Sequence, residues 1–350
     1  MEVAHTHIEN LYADGFRFVP LENGMLLELM DLAGDTNKVI QRFYKGEGTS
    51  DLPQGTFVIQ QSGMRLATLS TTQIAMIQSI DGLDHLKGTA YANYVRNEEV
   101  KNLIHSGAIR DLSGDQDIDF EAILELSPDA FLVYPYGQED YTRYERADIP
   151  CVRISEYLEP HPLGRAEWVK VIGFLISKEE KANEVFDTIS TEYEAIRKTA
   201  LHKADSKGAP EVFTGSHSGG MWYAASGNSF ISRFIQDAGG TYVFKGYQQK
   251  ENIEMQFEEL FEKVYDTAYW GKVVFEEGEL TLEKIREGDE RLTALKAFTE
   301  HQIFYCNAAE TDYFGAAVME PHKILADLVA ILHPDLLPNH TPYYFKLISS

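Results

Sequence analysis

The residues of this chain whose types and spacing could do chemistry fall into three groups. The first is Gly215-Ser216-His217-Ser218-Gly219, outwardly like the turn that presents a nucleophilic serine. That turn needs serine at its centre, where this chain has His217. No Ser/His/Asp or Cys/His set accompanies it, so an enzyme acting on a small molecule is the weakest function class. The second group is the histidines His5, His7, His161, His217 and His322. A transition-metal site needs three or four converging ligands, and these are scattered, so no metal site and no resident cofactor are expected. The third group is aromatic and polar. It comprises Ser70, Thr71, Thr72, Tyr91, Tyr94, Arg96, Tyr134 and Tyr136 in the first half, and Trp222, Tyr223, Trp270 and Tyr313 in the second. Aromatic planes suit a large flat or chelated ligand, and a guanidinium suits an anionic one. In a chain with 19 Tyr and 19 Phe, the competing role for each ring is core or rim.

The elements that would position this third group occur twice. Phe120-Glu121-Ala122-Ile123-Leu124-Glu125 leads to Asp129-Ala130-Phe131-Leu132-Val133-Tyr134, and Phe257-Glu258-Glu259-Leu260-Phe261-Glu262 leads to Asp266-Thr267-Ala268-Tyr269-Trp270. Each copy reads as a short amphipathic helix, a turn and a buried strand. Upstream, Ser70-Thr71-Thr72 opens a helix through Ile74, Ile77 and Ile80 that ends at Gly82. In the second half Ser226-Gly227-Asn228-Ser229 opens one through Phe230, Phe234 and Ile235 that ends at Gly239-Gly240. Two copies of one α/β plan predict two similar lobes with a ligand cleft between them. Residues just past the strand ends would line it, since open α/β sheets bind ligands there.

A length of 350 residues holds two domains, each with its own core. The formal net charge of −24 repels phosphate backbones and anionic headgroups, which excludes nucleic acid and membrane surfaces as partners. No apolar run approaches the ~20 residues of a membrane helix. Met1-Glu2-Val3-Ala4-His5 carries no export signal. Cys151 and Cys306 read as buried small hydrophobes.

Along the chain, residues 1–64 form a β-rich appendage, with strands at Phe16–Val19, Met25–Met30 and Val39–Tyr44 and a hairpin turn at Asn23-Gly24. Residues 65–160 form the first lobe, 161–205 connecting helices, and 206–350 the second lobe and tail. Ser177-Lys178-Glu179-Glu180 reads as a capping box. The helix it opens has apolar positions Val185, Ile189, Tyr193, Ile196 and Ala200. Run to Lys203 it spans ~37 Å, enough for a stiff strut between lobes.

Several runs resemble one known family. They are Leu69-Ser70-Thr71-Thr72-Gln73-Ile74-Ala75-Met76, Asp119-Phe120-Glu121, Tyr157-Leu158-Glu159-Pro160-His161-Pro162-Leu163-Gly164-Arg165-Ala166-Glu167-Trp168, Gly220-Met221-Trp222-Tyr223, Asp237-Ala238-Gly239-Gly240 and His333-Pro334-Asp335-Leu336-Leu337-Pro338. From about Arg65 to the end, the chain resembles substrate-binding proteins of ABC importers for iron complexes and vitamin B12. The resemblance implies two α/β lobes joined by a single long helix, the class III periplasmic-binding-protein plan, with the β appendage added. It implies a monomer that holds a metal complex between its lobes and delivers it to a membrane permease. It also implies a periplasmic or lipid-anchored location, the leader being lost by truncation. In that family an acidic residue on each lobe docks with permease arginines, and Glu121 and Glu258 match those positions. One departure is Ala308-Ala309-Glu310-Thr311-Asp312-Tyr313-Phe314-Gly315, where relatives carry a basic residue and an Asp-Tyr-Trp-Glu stretch. Three ligands stay open: an iron–siderophore complex first, then cobalamin, then haem with Tyr94 or Tyr313 as axial ligand.

Overall fold

Alternating apolar and polar residues open the structure, and they form the strands that such alternation predicts. In the computed structural model, which describes residues 10–114, 118–134 and 141–349, β1 (Phe16–Leu21) pairs antiparallel with β2 (Gly24–Met30). Then β2 pairs antiparallel with β3 (Val39–Gly46), and β4 (Thr56–Val58) joins β3 in parallel. The hairpin turn is Glu22-Asn23, one residue earlier than the sequence signal suggests. Gly24 is the first residue of β2 instead. It must lack a side chain because a Cβ there would stand 2.4 Å from the Lys45 carbonyl oxygen.

Gln41 ties this appendage to the body of its unit. Its Nε2 donates to the Cys151 carbonyl at 2.6 Å, and its Oε1 accepts from the Arg153 amide at 2.8 Å. The buried side-chain amide thus mimics a strand residue at an exposed ladder edge. Just upstream, two buried carboxylates hold the segment Leu11–Gly15. Glu167 accepts from the amides of Leu11, Tyr12 and Ala13 at 2.8, 2.8 and 2.9 Å. Glu159 accepts from the amides of Asp14 and Gly15 and from Trp168 Nε1.

The continuous apolar runs become parallel strands buried on both faces. β5 (Leu66–Thr68), β6 (Leu86–Thr89), β7 (Arg110–Asp111), β8 (Ala130–Val133) and β9 (Cys151–Arg153) form one sheet in the order 7-6-5-8-9, every pairing parallel. Phe131, Leu132 and Val133 are fully buried, and Phe131 packs edge-on against Tyr144.

The second unit repeats this plan. β10 (Glu211–Thr214) runs into an inserted antiparallel sheet of β11 (Ser216–Ser218), β12 (Met221–Ala224) and β14 (Ile253–Met255). β13 (Thr241–Tyr242), β15 (Tyr269–Val274) and β16 (Ile303–Asn307) are parallel to their neighbours, and β17 (Lys346–Leu347) closes the edge antiparallel. The order 13-10-15-16 reproduces 6-5-8-9, so the internal repeat is a repeat of topology. In both copies a serine cap opens the helix after the first strand: Ser70 for Thr71–Ser79 and Ser229 for Phe230–Asp237. Gly239, at φ +75°, ends the second of these helices in the left-handed conformation.

The predicted long helix is present as Glu179–Lys207. Its start differs from expectation. Ser177 adopts φ +60°, and its hydroxyl accepts from Lys45 Nζ at 3.0 Å. The serine is recruited by the appendage, and the helix begins two residues later. By compactness the chain divides within this helix. The first unit runs to Glu159 and adds Leu163–Thr188 and Phe314–Met319; the second holds Pro160–Pro162, Ile189–Tyr313 and Glu320–Ser350. The short excursion at Phe314–Met319 packs against the Thr71–Ser79 helix of the first unit, a feature with no sequence signal of its own.

Candidate functional site

In the first unit the carboxyl ends of the parallel strands gather most of the expected residues. β5 leads through Leu69 to Ser70, β6 through Ala90 to Tyr91, β8 directly to Tyr134, and β9 through Ile154-Ser155 to Glu156 and Tyr157. Ser70 caps the following helix. Its Oγ accepts from the Thr72 amide at 3.3 Å, and Gln73 Oε1 accepts from the Ser70 amide in return. Ser70 Oγ and Thr72 Oγ1 are 2.8 Å apart, and Thr72 Oγ1 is hydrogen-bonded to Glu156 Oε1 at 2.5 Å. Thr71 Oγ1 donates to the Phe314 carbonyl at 2.7 Å. Tyr91 takes a left-handed backbone, φ +55°, and its ring lies 6.4 Å from that of Tyr94. Tyr134 stands edge-on to Tyr157 at 6.3 Å. Arg96 is half-buried beyond the Ala92–Tyr94 turn, and Tyr136 lies outside the described residues. Tyr94 and Phe314 expose 64% and 61% of their surface, unusual for rings and suited to an apolar ligand face.

Two expected residues of the second unit are corrected. Trp222 and Trp270 are fully buried, with ring centroids 5.5 Å apart, and Trp270 stacks on Phe213 at 5.7 Å. Their indole nitrogens donate to the carbonyls of Thr214 and Gly215, 3.2 and 3.0 Å away. Both rings are core, and they brace the Gly215 turn, where a Cβ would lie 2.6 Å from Trp222 Nε1. Neither has a face to offer a ligand in this structure. Tyr223 is partly exposed on β12, and Tyr313 is half-buried against Tyr344 and Phe345 at 6.4 and 5.8 Å.

Two residues near the end of β15 that sequence reasoning did not single out are Phe275 and Lys272. Phe275 follows the last residue of β15 and is 69% exposed. Lys272, three residues earlier, lays its ammonium over the Trp270 ring at 4.7 Å, and burial pushes its pKa down.

The remaining chemical candidates dissolve into structure. Ser216-His217-Ser218 is a strand of a hairpin turning at Gly219-Gly220, with no helix following as a nucleophile turn requires. His161 is packed near Tyr193, and burial holds its pKa down to about 4. Cys151 and Cys306 are buried thiols pushed up to about 12 and about 11. Among the described residues no group of three or more His, Cys, Asp or Glu is arranged to hold a metal ion.

Glu121 and Glu258 occupy the same place in the repeat, each the second residue of its helix, Phe120–Leu126 and Phe257–Val264. Both are exposed. Glu258 lies 4.0 Å from Arg291, whose guanidinium covers the Phe257 ring at 4.0 Å.

Comparison with known proteins decides the family. The model of the periplasmic binding protein family matches residues 66–310, from β5 past β16. The chain belongs to the periplasmic binding protein family. An uncharacterized lipoprotein of Methanocaldococcus jannaschii is 25% identical over 80% of this chain and 68% of its own length. Among solved structures, this binding protein shares its fold with a periplasmic heme binding protein from Pseudomonas aeruginosa, with a TM-score of 0.64 and 14% identity over 82% of this chain and 99% of that one. A siderophore binding protein from Vibrio cholerae, solved with Fe3+–Desferal, gives 0.57 and 15% over 77% and 100%. No helix among the described residues is long and apolar enough to cross a membrane.

Proposed function

We propose that this binding protein captures a metal complex outside the cytoplasm, an iron–siderophore complex foremost, and delivers it to the permease of an ABC importer. The observation that carries the reading is the pairing of a duplicated parallel-sheet plan with large exposed rings on the segments that follow the strands: Tyr94 and Phe314 in the first unit, Phe275 in the second. Such rings stack on a bulky chelate and need no catalytic group. Cobalamin and haem are the alternative ligands of the same site, and a monomer without enzymatic activity is the expected working form.

The test is equilibrium dialysis and absorbance titration of the full chain with ferric desferrioxamine, cobalamin and haem. One of the three is expected to bind, and Phe314→Ala and Tyr94→Ala should each weaken it by about 1–3 kcal/mol. Uptake of none of them would sink the reading.

Docking is proposed at Glu121 and Glu258. The double replacement by alanine should leave ligand affinity within about twofold while lowering transport in vesicles that contain the cognate importer. The loss should be salt-sensitive, largest at low ionic strength and narrowing as added salt screens the wild type's charges, because exposed charges act mainly on encounter and register. Normal transport by the double variant would remove the assignment.

A further inference from the structure

Buried carboxyls in this protein are generously partnered. Asp327 accepts from His340, Tyr343, Tyr344 and Phe345. Glu167 accepts from three amides and Lys170, and Asp237 from Tyr193, Arg197 and Arg233. Glu156 differs. It is 3% exposed, its Oε1 shares a hydrogen bond with Thr72 Oγ1, and its Oε2 is buried without a hydrogen-bond partner. An ionised carboxylate in that setting would leave half a charge unsolvated on Oε2, whereas a carboxylic acid would leave only a carbonyl. The charged side chain acting on it is Arg165, from the Pro162–Glu167 helix. Burial, the largest influence, raises the pKa of Glu156; Thr72, Arg165 and the amides of Glu156 and Tyr157 oppose it.

We propose that Glu156 holds a proton and, through Thr72, turns Ser70 into a hydrogen-bond donor for an oxygen acceptor of the bound ligand, a carboxylate, hydroxamate or similar oxygen. The inference deepens the binding reading above and rests on it for the ligand.

The polarity follows from counting protons along the chain. With Glu156 protonated on Oε1, its O–H donates to Thr72 Oγ1, and the Thr72 proton then goes to Ser70 Oγ, 2.8 Å away. Ser70 Oγ already accepts from the Thr72 amide, so both its lone pairs are used and its own proton is left over. With Glu156 ionised the chain reverses: Ser70 donates inward to Thr72, and only a lone pair remains. Thr71 cannot substitute, since its hydroxyl is committed to the Phe314 carbonyl. Ser70 is partly exposed at the end of β5 and caps the nine-residue Thr71–Ser79 helix, whose amino end favours an electron-rich oxygen. Glu156 is therefore a positioning residue and Ser70 the group that meets the ligand.

The first arm of the test needs no ligand. Infrared spectra of the ligand-free chain carrying 13C-glutamate, at neutral pH, should contain a protonated-carboxyl band that Glu156→Gln removes. Identical spectra in that region would overturn the proposal. The second arm measures affinity for whichever of ferric desferrioxamine and haem the wild-type chain takes up. Thr72→Val, which cuts the chain, should lose about tenfold. Thr72→Ser and Glu156→Gln, which preserve a donor path to Ser70, should stay within about threefold. Undiminished affinity in a correctly folded Thr72→Val, judged by circular dichroism, would overturn the relay while leaving the binding reading intact. If the wild type takes up cobalamin instead, the predicted oxygen contact of Ser70 to a chelate or carboxylate is overturned; if it takes up none of the three, the binding reading fails and the infrared arm alone decides the proton.

Discussion

Glu167→Ala is expected to destabilise the first unit by about 3–5 kcal/mol, enough to consume much of a typical domain's margin. Glu167 is fully buried and sits 2.8 Å from Lys170, itself 4% exposed. Removing the carboxylate takes from the buried ammonium its ion-pair partner, while the Phe186 ring stays 4.4 Å away. It also leaves the amides of Leu11, Tyr12 and Ala13 without their acceptor. Those amides lead directly into β1, so the appendage should loosen with them. Urea unfolding followed by circular dichroism measures the loss, and limited proteolysis should cut first near residue 15. The ion-pair share separates in a double mutant: Glu167→Ala with Lys170→Met should recover about 1–2 kcal/mol, because the buried charge is gone. No recovery would mean that the amide cradle carries the whole effect.

Glu167 also illustrates what sequence reasoning could not reach. Glutamate on a helix is by default a solvated surface residue, and nothing in Arg165-Ala166-Glu167-Trp168 distinguishes one that faces inward. Its partners are backbone amides more than 150 residues away, invisible to any local pattern. The helix and strand repeats were legible because they rest on period and order. The buried strands, the serine-capped helices and the first three appendage strands stand close to where alternation and capping put them, whereas β4 and the start of the Glu179–Lys207 helix do not. The candidate site was legible only in part. Ser70, Thr72, Tyr91 and Tyr134 do lie just past the carboxyl ends of β5, β6 and β8, because that edge is a property of topology. Residue type misled for Trp222 and Trp270, since a large ring is as useful to a core as to a ligand. Glu156 gave no signal, being defined by what it lacks.

A comparable effect is expected in the second unit from Asp327→Ala, about 3–4 kcal/mol. Asp327 lies in the Pro321–Leu332 helix, fully buried, and gathers the amides of Tyr343, Tyr344 and Phe345 at 3.0, 2.6 and 2.8 Å, with His340 Nε2 2.6 Å away. One side chain thus satisfies three consecutive donors of a tail that otherwise has little regular structure, only the short β17. The consequence reaches the candidate site. Tyr313 packs on the rings of Tyr344 and Phe345, and Tyr344 bonds Glu320 through its hydroxyl. Releasing the tail should therefore free Tyr313 as well. Asp327→Asn keeps the shape but turns one acceptor into a donor facing other donors, so it should recover only part of the loss. Urea unfolding of the three proteins, with proteolysis of the native tail as a second readout, measures this order. A loss below about 1 kcal/mol in Asp327→Ala, with the tail still protected, would show that apolar packing of Tyr344 and Phe345 holds it without the carboxylate.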